Sequence, residues 1–96
     1  VFVEVFKDVA LYPAPLNRGE ARAMIESLKG YKMLAGYRGG AKCDVEALAE
    51  LIVQVADYAV ANKDSLCEMD LNPVFVYEEG KGVDIADAAI IKREKD

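Results

Sequence analysis

The sequence predicts an α+β domain, an antiparallel sheet carrying two helices on one face, in the order ββααββ. Three observations predict it: runs of apolar–polar alternation at both ends, two stretches with helical apolar spacing between them, and proline or glycine at the joins. The chain has 96 residues, of which 53% are hydrophobic and 30% charged, a packable composition for a single domain spanning 1–96.

Val1, Val3 and Val5 share one face of an opening strand, with Phe2, Glu4 and Phe6 on the other. Residues 9–12 are a second β-rich run, and Lys7-Asp8 is the two-residue turn between them. Pro13 and Pro15 end that strand, because proline cannot donate to a ladder. Asn17 followed by Glu20 reads as a capping box. Ala21, Met24, Ile25 and Leu28 then keep helical spacing until Gly30. Residues 29–43 read as an irregular loop, with Gly36, Gly39 and Gly40 around Tyr37-Arg38. Asp44 caps a second helix, whose Leu48, Leu51, Ile52, Val55 and Ala59 form a core-facing stripe ending near Asn62. Residues 66–77 are a strand interrupted at Pro73, 78–81 a turn, and 82–91 the return strand. Residues 92–96 are a solvated charged tail.

Composition narrows the function. A net charge of -5 argues against tracking a nucleic-acid backbone, which needs a basic face. No apolar run approaches the roughly 18 residues that cross a bilayer, so no membrane span is expected. The N-terminus lacks a secretory pattern, and Cys43 and Cys67 read as reduced thiols of a cytoplasmic protein. The absence of histidine removes Ser-His-Asp catalysis, Cys-His catalysis and histidine-held zinc. Opening on valine within a strand gives the expectation that the chain is a piece of a longer parent.

The most informative segment is residues 68–73. Alternation along a strand places Glu68, Asp70 and Asn72 on one face and Cys67, Met69 and Leu71 on the other. A four-residue turn at 78–81 pairs Tyr77 with Gly82 and Val76 with Val83, and the same register sets Asn72 opposite Asp87. Directly opposed Cβ atoms lie about 4.5–5.5 Å apart. An amide oxygen and a carboxylate at that separation suit Mg2+, which takes one or two protein oxygens and completes its shell with water and phosphate. Asp84 is the competing ligand, on the opposite face in this register. Spacing alone leaves a second reading open, that of an acidic strand face that is simply solvated. Arg38 has the same two readings: a phosphate contact in a glycine-flanked loop, or an exposed arginine in a turn.

Four segments occur in order: residues 2–9 (FVEVFKDV), 14–16 (APL), 36–39 (GYRG) and 68–74 (EMDLNPV). The series resembles the carboxy-terminal part of the ATP-grasp domain of ADP-forming acyl-CoA (acetyl-CoA) synthetases, over essentially the whole chain. The β subunit of succinyl-CoA synthetase has a similar acidic-x-Asn-Pro segment. The resemblance implies an ATP-grasp carboxy-terminal subdomain from an enzyme converting acyl-CoA, ADP and phosphate to acid, CoA and ATP through a phosphohistidine. It implies ATP/ADP and Mg2+ as cofactors, Asn72 and Asp87 as metal ligands, and Asp70 at the acidic position beside the phosphohistidine loop. The implied partners are the amino-terminal ATP-grasp subdomain and a CoA-binding, phosphohistidine-bearing domain or subunit. The nucleotide-cradling glycine loop, the adenine-contacting lysine and the histidine itself lack counterparts here, so these 96 residues alone are expected to be inactive. A succinyl-CoA synthetase relative and a non-enzymatic interaction module are the alternatives.

Overall fold

A computed structural model describes residues 8–93. The expected opening strand, residues 1–6, lies outside that range. Residues 9–12 enter no strand, contrary to expectation, and Leu11 is 90% exposed. The cause lies at both ends of the run. The Asp8 carboxylate accepts hydrogen bonds from the backbone N–H of Lys29 at 2.6 Å and of Gly30 at 2.9 Å. Pro13 and Pro15 deny the run two ladder donors. Residues 8–16 therefore form a strap along the helices, ending in the buried Leu16.

Helix α1 (Arg18–Glu26) starts at the predicted capping box: Glu20 N donates to Asn17 Oδ1 at 2.7 Å, and Asn17 N donates to Glu20 Oε1 at 3.1 Å. A single-turn α2 (Tyr31–Leu34) and a 3-10 turn (Tyr37–Gly39) occupy the region expected to be irregular. Helix α3 (Val45–Ala61) begins at the predicted cap Asp44 and closes at Asn62. Ala21 and Ile25 of α1 pack on Val45 and Ala49 of α3, with both alanines fully buried. Small residues at the crossing let the backbones approach closely. Arg18 reaches Glu46 at 2.7 Å and also Glu50, and Arg22 reaches Glu46 from the other side. These pairs are exposed and set the helix register more than they stabilise it.

Four strands follow: β1 (Leu66–Leu71), β2 (Val74–Val76), β3 (Val83–Ile85) and β4 (Ala88–Lys92). They form one long antiparallel hairpin divided into two sheets, β1–β4 and β2–β3. Val76 pairs with Val83, and Tyr77 N donates to Gly82 O at 3.0 Å, as the turn predicted. The same register continues through Leu71–Ala88, Asp70–Ala89 and Glu68–Ile91, then shifts before Leu66. The division falls at Asn72-Pro73, where proline has no N–H for the ladder.

The helical stripe differs from expectation. Leu48, Leu51, Ile52, Val55 and Ala59 are half-buried, and the fully buried positions of α3 are Val45, Ala49 and Ala56. Together with Tyr12 and Met24, and with Met69, Leu71 and Val74 of the hairpin, the stripe lines an apolar groove of about 410 Å³. A two-stranded sheet is too narrow to cover the helices. Ile25→Ala is expected to destabilise the fold by about 2–5 kcal/mol, the range for a buried aliphatic side chain. Leu51→Ala, on the open groove, should cost less than half of that in the same denaturant titration.

Candidate metal centre

Asn72 and Asp87 meet across the hairpin as the register required. Asn72 N donates to Asp87 O at 3.1 Å, and Ala86 N donates to Pro73 O at 3.0 Å, so the strands stay joined on both sides of the proline. Asn72 and Asp87 are exposed. Asp87 Oδ1 accepts the N–H of Ala88 at 2.9 Å, which orients the carboxylate and leaves Oδ2 without a described donor. The Asn72 and Asp70 side chains take no hydrogen bond or ion pair from the described residues. Asp70 lies opposite Ala89, two steps along the ladder from the Asn72–Asp87 pair and on the same strand face as Asn72. Asn72, Asp70 and Asp87 are thus three exposed oxygen-bearing side chains, and the Asn72 amide, the Asp70 carboxylate and Asp87 Oδ2 have no partner among the described residues.

Asp84, the competing ligand, is engaged elsewhere. It sits opposite Phe75, and Tyr77 Oη donates to its Oδ2 at 2.8 Å. That bond, together with burial and the Asp84 charge, raises the Tyr77 hydroxyl above its ordinary pKa. No group of three or more His, Cys, Asp or Glu able to hold a metal occurs among the described residues. The donors that are present, an amide oxygen and two carboxylates, are hard ligands of the kind magnesium takes alongside water and phosphate.

No bond joins Arg38 to this pair among the described residues. Its loop joins the hairpin at the turn, through the Cys43–Glu78 bridge and the bond from Glu79 N to Lys42 O at 2.8 Å. Asn72 lies six residues farther down the strand than Glu78, roughly 20 Å at the usual strand rise. Arg38 itself adopts φ 54°, ψ 42°, a left-handed conformation costing about 1–2 kcal/mol for a residue with a Cβ.

Sequence reasoning took Asp44 for a helix cap and missed its second role. Its Oδ1 accepts from Ala47 N at 3.0 Å as a cap should, and its Oδ2 accepts from Gly82 N at 2.8 Å. Its own N–H donates to Tyr77 O at 2.7 Å. One 8%-exposed residue therefore fastens the start of α3 to the hairpin turn that sets the register. No local signal marks this, because Gly82 lies 38 residues away and Tyr77 is nearly as distant in sequence.

A family model of the ATP-grasp domain matches residues 1–91. The chain belongs to the ATP-grasp family. It is 44% identical over 91 residues to the β subunit of ADP-forming acetate–CoA ligase II of Pyrococcus furiosus, covering 95% of this chain and 39% of that one. It is 47% identical over 95 residues to ADP-forming acetate–CoA ligase II of Archaeoglobus fulgidus, covering 99% of this chain and 13% of that one. Among solved structures, a dinucleotide-forming acetyl-coenzyme A synthetase 1 of Ca. Korarchaeum cryptofilum aligns with TM-score 0.88 at 42% identity, over 97% of this chain and 42% of that one. That structure contains coenzyme A and Mg-AMPPCP, with its phosphohistidine segment pointing towards the nucleotide site. This ATP-grasp chain thus spans about two fifths or less of the relatives it matches.

The hydrogen bonds from Ala47, then Gly82 and Gly80, hold the Asp44 carboxyl below the ordinary carboxylate pKa. A depressed folded pKa contributes stability that is present above the unfolded value, about 3.9, and is lost as pH falls through the folded value. Asp44→Asn should therefore flatten the fall in melting temperature below about pH 4. Thermal melts from pH 7 to pH 2.5 on both proteins check this.

Proposed function

We propose that the chain is the magnesium–nucleotide half of an ADP-forming acyl-CoA synthetase, which in its full-length form interconverts acyl-CoA, ADP and phosphate with acid, CoA and ATP. The observation that carries the reading is the pairing of Asn72 and Asp87, two exposed oxygen donors set opposite each other in a family named for its grip on ATP. The Asn72 amide oxygen and Asp87 Oδ2 would hold Mg2+ against the nucleotide phosphates. The ion's part, when bound, is to neutralise charge on those phosphates. Asp70, beside the pair, would accept the ring N–H of an incoming phosphohistidine and so orient its imidazole towards the terminal phosphate.

The histidine must come from elsewhere, since this chain has none. The partners proposed are the amino-terminal ATP-grasp subdomain and a CoA-binding domain or subunit carrying that histidine. Exposed apolar side chains support such partners: Phe75 at 50%, Ile90 at 46% and Ile91 at 53% surround the polar site on the hairpin. Patches of this kind mark surfaces meant to be covered. We place the parent in the cytoplasm, where acyl-CoA, ADP and phosphate are available; no helix among the described residues is long and apolar enough to cross a membrane.

Asn72→Ala and Asp87→Ala in the full-length parent should each lower phosphoryl transfer about a hundredfold or more, the loss typical of removing a group that stabilises transition-state charge. Their melting temperatures should stay within about 2 °C of the parent's, because exposed substitutions seldom cost much stability. Coupled ATP-synthesis assays at several magnesium concentrations read the effect. Full turnover in both variants would remove the metal assignment.

A further inference from the structure

The turn of the closing hairpin has little of its own to hold it. Gly80 and Gly82 have positive φ, 86° and 83°, and a Cβ at either position would meet no atom within 4 Å. Glycine backbones in open space have many conformations available, so hydrogen bonds must select one. Those bonds converge on Asp44. Its N–H donates to Tyr77 O at 2.7 Å, and its Oδ2 accepts from Gly82 N at 2.8 Å. Tyr77 and Gly82 face each other across the turn, where Tyr77 N donates to Gly82 O at 3.0 Å. One residue outside the hairpin therefore holds both of its strands at the same rung.

The carboxylate supplies what the backbone does not. The neighbouring backbone bonds, Asp44 N to Tyr77 O and Glu79 N to Lys42 O at 2.8 Å, reach the incoming strand and the turn beside it. Among the described residues, no hydrogen bond other than that from Gly82 N joins residues 82–92 to anything outside the hairpin. A hydrogen bond to an ionised group is stronger than a neutral one, and this one is sheltered, since Asp44 is buried. Asn72 and Asp87 lie five steps down their strands, from Tyr77 and from Gly82, so the count from the turn is equal on both sides. The opposite end of the hairpin fixes no such count, because the pairing shifts between Leu66 and Glu68. Pro73, next to Asn72, gives no N–H to the ladder. A change of alignment at the turn therefore passes to Asn72 and Asp87 without correction.

We propose that Asp44 is a positioning residue for Asn72 and Asp87: by holding both strands at the turn, its carboxylate sets the alignment on which their affinity for magnesium depends. The inference rests on the magnesium reading of those two residues. In this role Asp44 acts through the hairpin rather than by contact with the ion, as groups that orient metal ligands do. The dependence is reciprocal, so an ion held by Asn72 and Asp87 tightens the turn that Asp44 holds.

The test separates the clamp from the cap. Serine caps a helix about as well as aspartate but has one oxygen, so in Asp44→Ser the Ala47 N–H keeps its acceptor while Gly82 N loses its own. Asp44→Thr repeats the test with a side chain nearer in volume. Asn17→Ala removes the cap of α1, which bonds nothing in the hairpin, and is the control for lost stability. In the full-length parent, the rate of ATP synthesis is measured against magnesium concentration, and hydrogen exchange over residues 72–87 is followed without magnesium. Both Asp44 variants should raise the magnesium needed for half-maximal rate about tenfold, with the rate at saturating magnesium within about twofold of the parent's. Both should also exchange faster over residues 72–87 than the parent and Asn17→Ala. Asn17→Ala should lower the melting temperature and leave the magnesium dependence where it was. A parent-like dependence in either Asp44 variant, or an equal shift in Asn17→Ala, overturns the positioning role. Asn72→Ala and Asp87→Ala, measured alongside, show which reading has failed. If they shift the magnesium dependence and the Asp44 variants do not, the metal assignment stands and the role of Asp44 falls. If they leave it unchanged too, the metal assignment falls and takes this inference with it.

Discussion

The register of the closing hairpin is the constraint on which the rest depends. In an antiparallel pair a slip of one residue sends every side chain to the other face. Here such a slip would part Asn72 from Asp87 and turn Met69 and Leu71 away from the helices. Two kinds of bond hold the register. The turn itself closes through Tyr77 and Gly82, and Asp44 seizes Gly82 N and Tyr77 O from the start of α3. A helix cap thereby becomes a clamp on the register that sets Asn72 opposite Asp87. The buried carboxylate tolerates its position because it accepts hydrogen bonds at both oxygens.

Around that hairpin the molecule divides by polarity. One part is a small, tight helical core built on Ala21, Ile25, Val45 and Ala49. The other is an arm whose sheet is only two strands wide and whose apolar residues stay largely exposed. A two-stranded sheet is marginal on its own in water. The open groove between helices and hairpin, and the exposed isoleucines of β4, are what an element made to pack against a larger body should show. Relatives in which this segment is about two fifths of a subunit supply that larger body.

The sites follow the same logic of rigid placement. Asn72, Asp70 and Asp87 stand on strands, where geometry is fixed by the ladder rather than by their own side chains. Arg38 stands on a loop, yet that loop is pinned at its base and tip and turned by left-handed residues that few sequences allow. Side chains placed in these ways need little reordering when a ligand arrives.

Much of this was legible without coordinates, and the divide is physical. Capping at Asn17–Glu20 and at Asp44, the helices they start, and the pairing of Val76 with Val83 and of Asn72 with Asp87 are local: each is set by side-chain chemistry within a few residues or by counting outward from a turn. The sequence by itself determined the α+β class and the hairpin register that sets Asn72 opposite Asp87. Tertiary structure alone decided the rest, because it depends on contacts between distant segments. Asp8 caps the backbone at Lys29 and Gly30 and turns a β-rich run into a strap. Asp44 reaches Gly82, the stripe on α3 lines a groove instead of a core, and the base of the Arg38 loop is joined to the hairpin turn. Periodicity reports which face of an element is apolar; only the folded chain reports what lies against it.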